Sequence, residues 1–125
     1  MKTFVLGFLT FALVSQANAQ KSTIDYLTSG KWYMESYIIE GEDQRIPKDE
    51  VKNNWMLFLP HNKTEGVKMG KSYFGSWEYN EDDKTVIVKE PGGIRKMRIK
   101  KINDKILKAE IVGHETTVTM IRLQQ

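Results

Sequence analysis

Two histidines, an acidic triplet and a glycine-rich break are the residues of this 125-residue chain whose types suit chemistry, and their surroundings decide what each can do. His61 opens the polar run His61-Asn62-Lys63 and His114 follows Gly113. They are too far apart to form a local metal pair, and each reads as an exposed turn residue. His114-Glu115 does not continue into the second histidine of a helical zinc motif, and Glu115 starts a strand. Glu81-Asp82-Asp83 clusters carboxylates, but no further oxygen ligands follow at alternating spacing, so a solvated turn accounts for it better than a calcium loop. Pro91-Gly92-Gly93 lacks the following helix that a phosphate cradle requires. No nucleophile, base and orienting group stand together, so the expectation is a non-catalytic protein with no metal and no cofactor.

The elements that hold these residues begin after a leader. Met1-Lys2-Thr3 is a short cationic start, Phe4 to Val14 is an eleven-residue apolar run, and Ala17-Asn18-Ala19 is a small-x-small cleavage site. That is the anatomy of a secretory signal peptide, and the run is well short of the ~20 residues a spanning helix needs. Cleavage after Ala19 removes 19 of the 125 residues and leaves 106, residues 20–125, as one domain. Export places the protein in the periplasm or outside the cell. With no cysteine in the chain there is no disulfide, no thiolate metal site and no lipid attachment after the leader, so it is not read as a lipoprotein. Losing Lys2 lowers the formal charge from +3 to +2, too small an excess to imply nucleic acid.

Past the leader the pattern is period two, with β-branched and aromatic residues in short runs divided by turn chemistry. Ser22 to Ser29 suits one or two helical turns ended by Gly30. Eight strands follow, at Lys31 to Glu40, Asn54 to Pro60, Glu65 to Lys71, Tyr73 to Asn80, Lys84 to Glu90, Ile94 to Ile102, Lys105 to Val112 and Glu115 to Leu123. Short connections favour sequential antiparallel neighbours, and only Gly41 to Asn53, with a helical stretch from Lys48, is long. Such a meander removes its edges by closing the eighth strand on the first as an up-and-down barrel. An open sandwich is the alternative.

Alternation assigns faces. On the first strand Trp32, Met34, Ser36 and Ile38 would point inward, with Tyr33, Tyr37 and Ile39 outward. Val118, Met120 and Arg122 form the inner face of the last strand. Tyr73, Gly75, Trp77 and Tyr79, then Val86 and Val88, then Met97, Ile99, Leu107, Ala109 and Ile111 supply the rest. If the barrel closes, Arg122 either stacks across the indole of Trp32 or reaches solvent at the rim; an unpaired buried guanidinium would be heavily penalised.

The opening Leu27-Thr28-Ser29-Gly30-Lys31-Trp32 carries a short helix and a Gly-x-Trp. With the strand and turn from Phe58 to Lys63, the run Gly75-Ser76-Trp77-Glu78-Tyr79 and a last strand ending on Arg122, the chain resembles the small lipocalin-like domains of secreted bacterial proteins. The resemblance implies an eight-stranded antiparallel up-and-down β-barrel in which Trp32 and Arg122 pack together at the closed end, a structural role. At 106 residues there is no room for the long C-terminal helix of a full lipocalin.

Two functions compete on this reading. In the first, Met34, Ile38, Phe58, Met69, Trp77, Tyr79 and Met97 line a pocket for a small apolar or amphipathic molecule, entered at the end opposite Trp32; flexible thioethers and amphipathic rings suit such a site. The same residues would serve equally as a filled core, which the short chain favours over a large cavity. In the second, Tyr33, Tyr37, Ile39, Trp55 and Leu57 form an outward apolar patch that docks on a protein partner or on a second copy of the chain. The second strand, apolar on both sides, is the one whose facing a one-residue slip would reverse.

Overall fold

The computed structural model describes residues 21–123; the leader expected over residues 1–19 lies outside them. A five-residue helix, α1 (Thr23–Leu27), opens the chain. Ser22 caps it: its hydroxyl accepts from the Asp25 amide while the Asp25 carboxylate accepts from the Ser22 amide, so two otherwise orphaned donors are satisfied. Nine strands follow, β1 (Trp32–Ile39), β2 (Glu42–Arg45), β3 (Trp55–Leu59), β4 (Lys63–Lys68), β5 (Lys71–Asn80), β6 (Thr85–Glu90), β7 (Gly93–Ile102), β8 (Ile106–Ile111) and β9 (Thr116–Ile121). Before β3 a single 3-10 turn, Val51–Asn53, buries Val51.

From β3 to β9 each strand pairs antiparallel with the next, and β9 pairs with β1, closing an eight-stranded antiparallel barrel. The expected meander and its closure are what the chain adopts. The addition is β2, which lies on β1 as a hairpin flap. Its two-residue turn, Glu40-Gly41, has positive φ at both positions (50° and 84°), the geometry whose twist suits a tight hairpin. Sequence alternation could not show β2, because Glu42-Asp43-Gln44-Arg45 is polar throughout and exposed on both faces.

The flap also divides an edge. β1 offers Ser36 to Ile39 to β2, which leaves only Trp32 and Tyr33 to pair with Met56 and Trp55 of β3. On the other edge β1 is bulged between Met34 and Ser36, and the carbonyl of the extra residue, Glu35, is taken by the Ile46 amide at 2.9 Å. A bulge advances the alternation by one residue, so the inward set of β1 changes parity halfway along.

The lower barrel is solid. Leu27 and Trp32 plug it, and Met56, Phe58, Trp77, Val88, Met97, Leu107 and Met120 fill it. Phe58 and Trp77 meet edge to face with centroids 5.3 Å apart, and the Trp77 indole N–H donates to the Leu59 carbonyl at 2.9 Å. Burying a large side chain of this kind stabilises by roughly 1.5–3 kcal/mol.

Candidate functional site

The two ends of the barrel are built differently. At the closed end, α1 and the first residues of β1 are tied to the residue after β9. The Arg122 guanidinium lies over the Trp32 ring, Cζ 3.5 Å from the centroid. It donates to the Lys31 carbonyl at 2.9 Å, to the Tyr26 carbonyl at 2.8 Å and to the Ser29 hydroxyl at 2.5 Å. The Trp32 indole N–H donates to the Leu27 carbonyl at 3.2 Å. Burial pushes the Arg122 guanidinium below the usual arginine range, an effect that the charge of Asp104 opposes.

At the other end a cleft of about 770 Å³ opens among the β4–β5, β6–β7 and β8–β9 turns. Its floor consists of inward positions, Lys68 of β4, Tyr73 of β5, Glu90 of β6, Arg95 of β7 and Ile111 of β8; Met69, Ile94 and His114 form its rim. Below it lies an inner cavity of about 80 Å³ against Met34, Tyr37, Met56 and Met120. Lys68, Tyr73 and Arg95 line both spaces and so form the partition between them.

The partition is polar. Arg95 Nη2 donates to Glu90 Oε1 at 2.5 Å, and the Glu90 side chain keeps only 10% of its surface exposed. The Nε–H of Arg95 is buried and has no partner among the described residues. Tyr73 lies directly across from Gly66, whose missing side chain leaves room for the ring: a Cβ at Gly66 would sit 2.5 Å from the phenol oxygen. Burial pushes the Tyr73 phenol up to about 12, and the neighbouring Glu90 charge adds to this while Arg95 works against it. At ordinary pH the phenol is therefore a neutral donor.

Of the seven residues expected to line a pocket, the structure brings few to the open space. Met34 lines the inner cavity. Phe58, Trp77 and Met97 point inward but are packed within the filled lower core, and Tyr79 packs against that core with its hydroxyl buried and without a partner among the described residues. Met69 is not an interior residue: β4 stops at Lys68, and Met69-Gly70 is the tight turn to β5, with Met69 83% exposed at the rim. Ile38 lies beyond the bulge and is 44% exposed, off the inner face.

The bulge likewise overturns two members of the outward set. Tyr37 pairs with Val118, packs against the core and lines the inner cavity, and Ile39 takes the inner parity at the rim. Tyr33, Trp55 and Leu57 remain on the outer face, each half-buried, and Lys31 Nζ sits over the Trp55 ring at 4.1 Å. Most exposed large hydrophobic side chains among the described residues instead ring the open end: Ile38, Ile39, Met69, Ile94 and Val112.

Glu90 and Arg95 were missing from the sequence expectations, although a signal was there. Val86, Val88 and Glu90 share one parity, as do Arg95, Met97 and Ile99, so opposite charges flank the Pro91-Gly92 turn at positions otherwise apolar. Among the described residues no group of three or more His, Asp or Glu side chains could hold a metal ion. No helix among them is long and apolar enough to cross a membrane.

A closed eight-stranded antiparallel barrel plugged by a short helix, with an arginine stacked on a Gly-x-Trp tryptophan, is a lipocalin-like fold. Two solved structures share it. One is a DUF4847 family protein from Bacteroides vulgatus, with a TM-score of 0.62 and 12% identity, over 83% of this chain and 99% of that one. The other is a lipocalin-like protein from Bacteroides uniformis, with a TM-score of 0.62 and 13% identity, over 78% of this chain and 99% of that one. At such identities the likeness is one of fold. No protein-family model matches the sequence, and no curated protein matches it.

Proposed function

We propose that this protein is an exported, non-catalytic binding protein that takes a small apolar or amphipathic molecule into the open end of its barrel. The observation that carries the reading is the cleft of about 770 Å³, a size typical of small-molecule sites, floored by inward side chains and rimmed by exposed apolar ones. The filled lower barrel confines the ligand to the open end. Met34 and Tyr37 would meet whatever part of it passes the Lys68–Tyr73–Arg95 partition. The leader of residues 1–19 supports action in the periplasm or outside the cell.

The competing reading, an accessory subunit docking through its outer face on an envelope or secretion complex, is weakened by the inward turn of Tyr37 and Ile39 and by the cover of Lys31 on Trp55. Native mass spectrometry of protein purified from its own host tests the choice. The expected result is a chain carrying the added mass of one small organic molecule, released by denaturation. A bare chain from which solvent extraction recovers nothing, or a stable complex with a second protein whose formation is abolished by Trp55→Glu, would overturn the ligand reading.

A further inference from the structure

We infer that the site is selective for an amphipathic carboxylic acid, whose carboxylate seats on Arg95 at the partition while its apolar body lies along Ile111 and the rim. The inference rests on the ligand-binding reading above and adds the chemical class of the ligand.

Three features of the partition point the same way. Arg95 lines the cleft with 29% of its side chain exposed and spends one N–H on Glu90, so its guanidinium keeps donors for a further acceptor, and its buried Nε–H has none among the described residues. A carboxylate is the group whose two oxygens best match a guanidinium edge. The charges lining the cleft are uneven as well: Lys68, Lys71 and Arg95 are cationic, Glu90 alone is anionic, and Glu90 is already engaged by Arg95. A cationic ligand would meet three like charges and one occupied acceptor. Finally, the Tyr73 hydroxyl beside Glu90 and the ammonium of Lys68, which lies 5.9 Å from the Tyr73 ring centroid, add donors on the wall the head group would touch.

The same geometry limits the ligand's shape. The cleft above the partition is large and the cavity below it, about 80 Å³, holds only two or three water-sized groups. Most of the apolar body must therefore stay in the cleft, and only a short end can pass below toward Met34. Glu90 competes with the ligand for Arg95, so it sets the affinity from within the site.

Calorimetry of the purified protein with decanoate, decanol and decyltrimethylammonium tests this. Decanoate is expected to bind at least about ten-fold more tightly than decanol, the factor that a charge-assisted hydrogen bond supplies, and the ammonium compound more weakly still. Arg95→Met should reduce decanoate to the level of decanol, and Arg95→Lys, which keeps the charge but loses the planar edge, should fall between. Glu90→Gln should tighten decanoate and leave decanol unchanged, a gain that a purely structural role would not give; this variant and Arg95→Lys carry the test should Arg95→Met fail to fold. Equal affinity of the wild type for decanoate and decanol, or decanoate binding indifferent to both positions, would overturn the carboxylate inference and leave a small-ligand site standing. Binding of none of the three probes would remove the ligand reading along with it.

Discussion

Arg122 and Arg95 sit at opposite ends of one barrel, and both reach its interior, yet their surroundings differ in kind. Arg122 makes three hydrogen bonds and stacks besides: a ring face lies beneath it, with two backbone carbonyls and a hydroxyl around it. Arg95 has one carboxylate partner, and its buried Nε–H has none among the described residues. The first arrangement ties the run from Tyr26 to Trp32 to a residue far along the chain and closes the barrel. The second leaves an arginine with donors to spare at the wall between a large cleft and a small cavity. Where an arginine's donors go to backbone carbonyls and its face to a ring, it holds the fold; where it lines a cleft with donors left over, it is suited to recognising something else.

The largest effect should come from the ring under Arg122. Trp32 has no exposed surface, and Trp32→Ala is expected to cost about 3–5 kcal/mol in denaturant unfolding. Arg122→Leu should follow, losing the stacking and the carbonyl bonds for about 2–4 kcal/mol, while the cleft at the far end keeps its ligand affinity. If Arg122→Leu is neutral, the closed end is not held as described and the contrast collapses. At the open end the paired replacement Glu90→Gln with Arg95→Met should change stability by no more than about 1 kcal/mol in either direction, since an ion pair exchanged as a unit is near neutral.

The smallest effect is one of pH. The Tyr73 phenol stands at about 12 when folded against an ordinary value of 10.0. Below 10 both states hold the proton, and above it the unfolded chain ionises first, so stability falls as pH rises from 10 toward 12. Unfolding curves for Tyr73→Phe should lose part of that alkaline slope. An unchanged slope would mean that the phenol is as well solvated in the native mouth as in the unfolded chain.

Much of the barrel was legible because alternation and turn chemistry agree along the chain. Phe58, Trp77, Val86, Val88, Met97, Ala109 and Met120 stand at inward positions that period two predicts, although the register of β7 on β8 shifts between Ile99 and Lys101, and Pro91-Gly92 and Asn103-Asp104 punctuate the pattern. Three features were hidden for physical reasons. The polar β2 gains its place from backbone pairing alone and has no apolar face to announce it. The bulge at Glu35 turns on a long-range partner, the Ile46 amide, and it reverses Tyr37, Ile38 and Ile39 at once. Met69 looks like strand until the glycine after it is recognised as the second residue of a turn. The candidate site was least legible, because Glu90 and Arg95 read as surface charges unless their parity is followed through the intervening turn.

The edge that β1 divides between β2 and β3 has a kinetic meaning. A cylinder held by six paired positions at the β1–β9 seam and only two at the β1–β3 seam parts first along the weaker one. Met34 and Met56 stand beside that line and border the small cavity, so a parting there would open the cavity sideways, through the staves. Amide protons along the β1–β3 contact should therefore exchange ahead of those between β1 and β9, and a ligand that orders the mouth from above would slow them by holding the staves together.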